Sequence, residues 1–384
     1  DRIFLPTAEG GSAINDALTQ SYFIINIGRT LQGLAPVTPK QAARFHFSLP
    51  GSVQGFQEEN SVACKGTLTI ENVELAGERV LALRYRNIAD GRDARAASAT
   101  FIPLEHAHTV LHYELLASPT IYPGQTVRAR VIADAGNAQP AKVGLYIQHY
   151  AAGDQFNLLR GTTTILQPGA SQELTWIIPD LDGQPVAEIG VEISSFERAN
   201  GSLYLDYLTW DGEPNVNLGR PAAGGTLWRK AWVNAIDSFD MRWPEPYRLA
   251  QNRGTGLISQ GTQDWRNYTV ESAIIPHLVT STGIAARVQG LERYYALLLC
   301  ADRKVRLVKK LDGSQILAEQ DFNFEWDQSI TFKLTVQGTH LQGWINGQLM
   351  FDLEDQQTPL LHGAVALIVE EGRINCDLVT VKPN

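Results

Sequence analysis

The chain has 384 residues, which is enough for two or three domains, each large enough to bury a core. The formal net charge is −9 and no run of like charges approaches five, so the sequence has neither a basic segment for nucleic acid nor an acidic tail. No apolar run reaches the roughly 18 residues of a membrane span, and no signal peptide is recognisable. Because residue 1 is Asp, we expect the chain to be a fragment or a mature form of something longer.

The predicted elements begin with one long helix over residues 12–34. Ser12 is placed as its N-cap, and apolar side chains then fall near one face. Two prolines in residues 35–40 indicate a connector. We therefore predict an N-terminal helical extension over residues 1–48.

Strand patterns replace the helical period after this extension. Runs of strand formers alternate with turn signals such as Tyr122-Pro123-Gly124 as far as residue 211, which predicts an antiparallel sandwich over residues 49–211. Glycine and proline dominate residues 212–227, which we interpret as a domain linker. Strands resume in residues 228–384, where Asn346-Gly347 is a strong hairpin signal. The predicted fold class is all-β, with two antiparallel β-sandwich (jelly-roll) domains in tandem.

Strand alternation suggests a binding face in the first sandwich. In residues 142–150, Val143, Leu145 and Ile147 point one way, and three polar or aromatic side chains point the other. The predicted face comprises Tyr146, Gln148, Tyr150, Glu192, Arg128 and Arg130. Aromatic rings stack on the C–H face of a pyranose while planar polar groups bind its hydroxyls, so this mixture is typical of sugar binding. The alternative is an ordinary solvated face on which Arg128 and Glu192 form an ion pair.

The second sandwich offers fewer candidates. Arg287 and Gln289 share a predicted face, which Tyr295 and Trp344 are candidates to join, although we assign Trp344 to core packing.

The sequence offers few catalytic or metal-binding motifs. The sequence contains no nucleophile elbow, zinc-protease helix, phosphate-binding loop or dinucleotide fingerprint, and no strand carries the paired acidic residues of a glycosidase. His106 and His108 lack a third metal ligand. Glu58 and Glu59, at the start of the first sandwich, and Asp206, on its last strand, are instead predicted to converge on a structural Ca²⁺.

The three cysteines lie far apart in the sequence. Cys300 and Cys376 could form a disulfide, but buried free thiols are the preferred interpretation for all three cysteines, including Cys64.

Three segments carry a resemblance to a known family. Ser118–Gln125, Gly201–Gly212 and Gly224–Trp232 resemble the accessory region that follows the catalytic domain in bacterial ADP-ribosylglycohydrolase-family proteins. The resemblance implies a galactose-binding-like jelly roll, with calcium at the Glu58 and Asp206 positions, and then a concanavalin or laminin-G-like module. The acidic motifs of the family's helical two-magnesium enzyme have no match, so no catalytic residue is carried over.

The leading functional prediction is a non-catalytic pair of modules that recognises glycan or an ADP-ribose-like sugar, with no nucleic-acid partner. The first alternative is a structural or adhesive protein that self-associates. The second is a hydrolase that acts through the concanavalin-like domain. A cell-surface or extracellular location and a cytoplasmic one both stay open.

Overall fold

The structure is a computed structural model, and it describes residues 40, 42–59, 61, 64–101, 118–240 and 245–384. The predicted helix over residues 12–34 and the pair His106 and His108 lie outside the described residues. Among those described, no helix has the length and apolar character that crossing a membrane requires.

The first sandwich consists of two antiparallel sheets. Its strands are β1 (Phe45–His46), β2 (Gln57–Glu58), β3 (Leu68–Leu75), β4 (Glu78–Ile88), β5 (Ala94–Ala99), β6 (Thr126–Ala133), β7 (Ala141–Tyr150), β8 (Phe156–Leu166), β9 (Ser171–Ile177), β10 (Val186–Ser194) and β11 (Ala199–Asp211). The six-stranded sheet has the order β3-β4-β11-β6-β9, with β1 paired to β11. The five-stranded sheet has the order β2-β5-β10-β7-β8.

Alternating apolar side chains from both sheets form the core between them. Leu81 and Val131 come from the six-stranded sheet, Ile147 and Ile189 from the five-stranded sheet, and all four are fully buried. Because side chains alternate across a strand, the polar residues between them lie on the two outer faces of the sandwich.

The second sandwich is one hydrogen-bonded network of strands. They are β12 (Val216–Gly219), β13 (Val233–Ala235), β14 (Ser238–Asp240), β15 (Tyr247–Gln260), β16 (Tyr268–His277), β17 (Ser281–Gly290), β18 (Arg293–Cys300), β19 (Lys304–Leu311), β20 (Ser314–Asp321), β21 (Ile330–Gln337), β22 (His340–Ile345), β23 (Gln348–Glu354) and β24 (Ala364–Pro383). The first part of β24 pairs with β17 and its second part with β16. The long strand therefore ties two regions of the network together.

The all-β fold class is confirmed. The predicted linker is not free of regular structure, because β12 lies within residues 212–227 and pairs with β24. Val216 and Leu218 of this strand are buried in the core of the second sandwich. A single-turn helix α1 (Leu227–Lys230) follows.

Side chains from the two sandwiches contact each other directly. Tyr122 packs edge-on against Trp265, with ring centroids 4.8 Å apart. Arg44 Nη2 lies 2.5 Å from Asp264 Oδ2. The backbone N–H of Arg266 donates to the Glu213 carboxylate at 2.8 Å. These contacts join the two sandwiches.

Candidate functional site

The outer face of the five-stranded sheet carries the candidate site. Val143, Leu145 and Ile147 of β7 point into the core, as predicted, so Tyr146 and Gln148 lie on the outer side. The β7–β10 register places Gln148 opposite Glu188 and Tyr146 opposite Gly190. These pairs are neighbours along one face because they are two residues apart on each strand.

A cleft of about 440 Å³ opens on this face. It is lined by Gln57, Glu58, Glu59, Ser61, Ala97, Gln148, Phe156, Leu158 and Glu188. A volume of this size lies within the usual range of small-ligand sites, about 300–1,000 Å³.

Two polar groups that line the cleft, and a third beneath the surface, have no hydrogen-bond partner among the described residues. The Gln148 amide, on a side chain that is only 8% exposed, lines the cleft with neither its donors nor its acceptor engaged. Glu188 is half-buried, lines the same cleft, and no described cation pairs with it. The Tyr146 side chain is 0% exposed and does not line the cleft, and its hydroxyl is buried without a partner. Buried polar groups are nearly always hydrogen-bonded, so Gln148 and Glu188 make this cleft the candidate site for a polar ligand.

The carboxylates at the cleft differ in their surroundings. Burial, and after it the charge of Glu59, raises the pKa of Glu188 above its ordinary value. Glu59 lies 2.8 Å from Arg95 Nη1 and is paired. Burial, then the charges of Glu59 and Glu188, also raises the pKa of Tyr146 well above its ordinary value, so this hydroxyl stays protonated.

The two guanidinium groups beside the cleft, of Arg95 and Arg160, pair with carboxylates other than Glu188. Arg95 pairs with Glu59, with Asp93 at 3.0 Å and with Glu192. Arg160 Nε donates to Glu192 Oε1 at 2.8 Å. Burial would raise the pKa of Glu192, but its hydrogen bonds from Arg160 and Arg95 outweigh that effect and lower the pKa. Glu192 therefore anchors this ion-pair network on the same face.

The exposed aromatic ring of the cleft is Phe156. Its side chain is 55% exposed and stacks on Tyr150, with centroids 4.9 Å apart and planes 24° apart. Tyr150 is itself buried and packs edge-on against Phe101. The expectation that Tyr146 and Tyr150 are exposed stacking rings is therefore wrong, because both lie beneath the surface.

Arg128 and Arg130 do not join this face. They lie on β6 in the six-stranded sheet, and Arg128 Nη1 pairs with Asp211 at 2.7 Å, not with Glu192. Arg130 lies 3.6 Å from Asp206 in a separate cleft of about 740 Å³ that also includes Lys40 and Tyr207. The predicted set is split because β6 and β7 belong to opposite sheets.

The predicted calcium ligands lie on different sheets. Glu58 on β2 accepts the backbone N–H groups of Gly66, Thr67 and Leu68 at 2.7–3.0 Å. Asp206 on β11 pairs with Lys40 Nζ at 2.5 Å. No group of three potential metal ligands occurs within the described ranges. Calcium at these two positions stays a prediction.

The candidates of the second sandwich are buried. Arg287 donates to the carbonyl oxygens of Arg266, Gly338 and Leu360 at 2.5–3.2 Å. The Tyr295 hydroxyl donates to Asp355 at 2.5 Å. These bonds hold loops inside the domain.

Trp344 is partly buried, with Lys333 Nζ 4.7 Å from its ring centroid. The expected thiol state is confirmed, because Cys64, Cys300 and Cys376 are free and buried.

Comparisons with known proteins give only distant similarities to solved structures. No family model and no curated protein matches the chain. Among solved structures, the chain is similar to the carbohydrate-binding module CBM66 from Bacillus subtilis, with 17% identity and a TM-score of 0.35, over 39% of this chain and 94% of that chain. It is also similar to a protein of unknown function with a galectin-like fold from Bacillus subtilis, with 13% identity and a TM-score of 0.34, over 41% of this chain and 92% of that chain. A third is the CBM22-1 xylan-binding domain of Xyn10C from Paenibacillus barcinonensis, with 11% identity and a TM-score of 0.29, over 43% of this chain and 89% of that chain. At these values the functional assignment depends on the site itself.

Glu188 and Phe156 line the cleft but are absent from the predicted binding face, and Glu59 was predicted only as a calcium ligand. Glu188 has the same strand phase as Glu192, so alternation could have identified it. Phe156 belongs to a strand that was not predicted.

Proposed function

We propose that this chain is a carbohydrate-binding protein and that the cleft on the five-stranded sheet is its sugar site. The observation that carries the proposal is the pair of unengaged polar groups of Gln148 and Glu188 beside the exposed ring of Phe156.

The chemistry of these groups suits a pyranose. Sugar hydroxyls both donate and accept hydrogen bonds, and the Gln148 amide does the same, while Glu188 accepts. The half-exposed Phe156 ring offers an apolar surface to the C–H face of a sugar. Tyr150 supports that ring from below and limits its motion. A ligand would thus engage groups that the folded chain leaves unengaged.

The charge of the cleft bears on the two ligand classes that the sequence suggested. The charged residues that line it within the described ranges are all carboxylates, namely Glu58, Glu59 and Glu188. A diphosphate would be repelled by them, so the lining favours a glycan over an ADP-ribose-like sugar.

A glycan array followed by calorimetry on the best ligand tests the proposal. We expect Gln148→Ala and Phe156→Ala to weaken binding, while Gln315→Ala, an exposed amide on β20 of the second sandwich, leaves it unchanged. Failure of every glycan to bind, or binding that survives both cleft variants, would overturn the proposal. Self-association without glycan affinity would favour the structural alternative instead.

Glycoside hydrolysis at the same cleft is a second candidate. Glu188, whose pKa is raised by burial and then by the charge of Glu59, resembles a general acid, and Glu59 is a second carboxylate that lines the same cleft. These residues support a hydrolase hypothesis in the first sandwich, whereas the sequence suggested the second. Release of reducing ends from the array's best ligand, abolished in Glu188→Gln, would support hydrolysis, and intact ligand after prolonged incubation would exclude it for that ligand.

A further inference from the structure

The three carboxylates that line the cleft differ in whether the protein itself supplies a partner. Glu58 is satisfied by three backbone N–H groups and Glu59 by Arg95. Glu188 alone has no cationic partner within the described residues. The two nearby guanidinium groups, Arg95 and Arg160, are already bound to other carboxylates. The cleft therefore presents one uncompensated negative charge.

An uncompensated, half-buried carboxylate beside a second carboxylate opposes folding. Burial disfavours the charged form and so does the neighbouring charge. A cation supplied by a ligand would relieve both effects at once, and an ammonium–carboxylate contact is a strong, charge-assisted hydrogen bond. Glu188 also lies directly opposite Gln148 in the strand register. The Gln148 amide is 8% exposed, lines the same cleft and is unengaged, so a polar ligand would contact both residues.

We propose that Glu188 binds the protonated amino group of an amino sugar, so that the cleft prefers deacetylated amino sugars to neutral ones and rejects acidic sugars. The inference rests on the proposed function, because it assigns the sugar class of that same cleft. In this arrangement Gln148 binds a neighbouring hydroxyl, and Phe156 covers the ring face.

The test compares three oligosaccharides on the full chain by calorimetry. They are a fully deacetylated chitosan tetramer, the matching N-acetylated chitin tetramer and an oligogalacturonate. We expect chitosan to bind about tenfold or more tightly than chitin, which is the advantage of a hydrogen bond to a charged group over a neutral one. Added salt should reduce the chitosan advantage, and galacturonate should bind most weakly. Equal affinities for chitosan and chitin would overturn the inference.

Variants separate the amino-sugar assignment from the proposed sugar-binding function. Glu188→Gln keeps the shape and should bring the chitosan-to-chitin affinity ratio close to one. Glu71→Gln, a half-exposed carboxylate on the opposite sheet, should retain the wild-type ratio. A ratio that survives Glu188→Gln would refute the amino-sugar assignment. If chitin binds through Gln148 but chitosan is not preferred, only this inference fails, whereas absence of binding by every glycan would remove the proposed function as well.

Discussion

The buried hydroxyl of Tyr146 gives the sharpest prediction. Its side chain is 0% exposed and its hydroxyl has no partner among the described residues. A buried hydroxyl left without a hydrogen bond costs about 1–3 kcal/mol. Tyr146→Phe removes that group and keeps the ring, so the free energy of unfolding should rise by about 1–3 kcal/mol. The melting temperature of a domain of this size would rise by about 2–4 °C per kcal/mol.

The same variant should leave glycan affinity close to the wild-type value, because the Tyr146 hydroxyl lies beneath the surface and does not line the cleft. Denaturant unfolding and calorimetry measure stability and affinity on the same preparation.

Tyr247→Phe is the matched control. Tyr247 is also 0% exposed, but its hydroxyl donates to the carbonyl oxygen of Leu218 at 2.8 Å. Removing it should destabilise the second sandwich by about 1 kcal/mol and leave glycan affinity unchanged. If Tyr146→Phe destabilises the chain to a similar degree, its hydroxyl has a structural partner and the reasoning is refuted.

Four further predictions concern the cleft ring Phe156, the Lys309–Asp355 pair and Asp154. Phe156→Ala should reduce glycan affinity about 2- to 10-fold with little change in unfolding, and an unchanged affinity would contradict its stacking role. Lys309→Met, which leaves Asp355 buried without its 2.7 Å partner, should lower the free energy of unfolding by about 3–5 kcal/mol in denaturant titrations. Burial would raise the pKa of Asp355, but hydrogen bonds from Lys309 and Tyr295 outweigh it and lower the pKa. The Lys309–Asp355 pair should therefore contribute fully to the free energy of unfolding at pH values above the ordinary Asp pKa. This contribution should be lost as the pH falls through the lowered pKa of Asp355, and Asp355→Asn should abolish the pH dependence. Asp154→Ala removes the acceptor for backbone N–H groups at the start of α1 and should lower stability by about 1 kcal/mol, while an unchanged melting temperature would show that these bonds contribute little.

Side-chain faces could be predicted from the sequence because the period of a strand is fixed by its geometry. Alternation correctly placed Tyr146 and Gln148 opposite Val143. It could not show which strands share a sheet, because pairing depends on contacts distant in sequence. Arg128 and Glu192 were therefore grouped on one face although they lie on opposite sheets.

Local irregularities account for other differences. The β11–β6 register shifts between Leu205 and Tyr207, so Tyr207 joins Asp206 at the outer cleft against strict alternation. Gly161 interrupts the strand pattern of β8, so the strand that carries Phe156 was not predicted. A Cβ at position 161 would lie 2.7 Å from the ring of Trp176, so the folded chain requires glycine there. A single sequence does not reveal this close packing.

The side-chain amide of Gln148 provides the most direct test of the sugar site. Its ¹⁵N resonance can be assigned from Gln148→Ala and followed while the best glycan is titrated into the intact chain. Occupation of the cleft predicts a saturable shift of this resonance, with a midpoint equal to the calorimetric dissociation constant. A glycan that binds while the Gln148 resonance stays unmoved would contradict the assignment of the site.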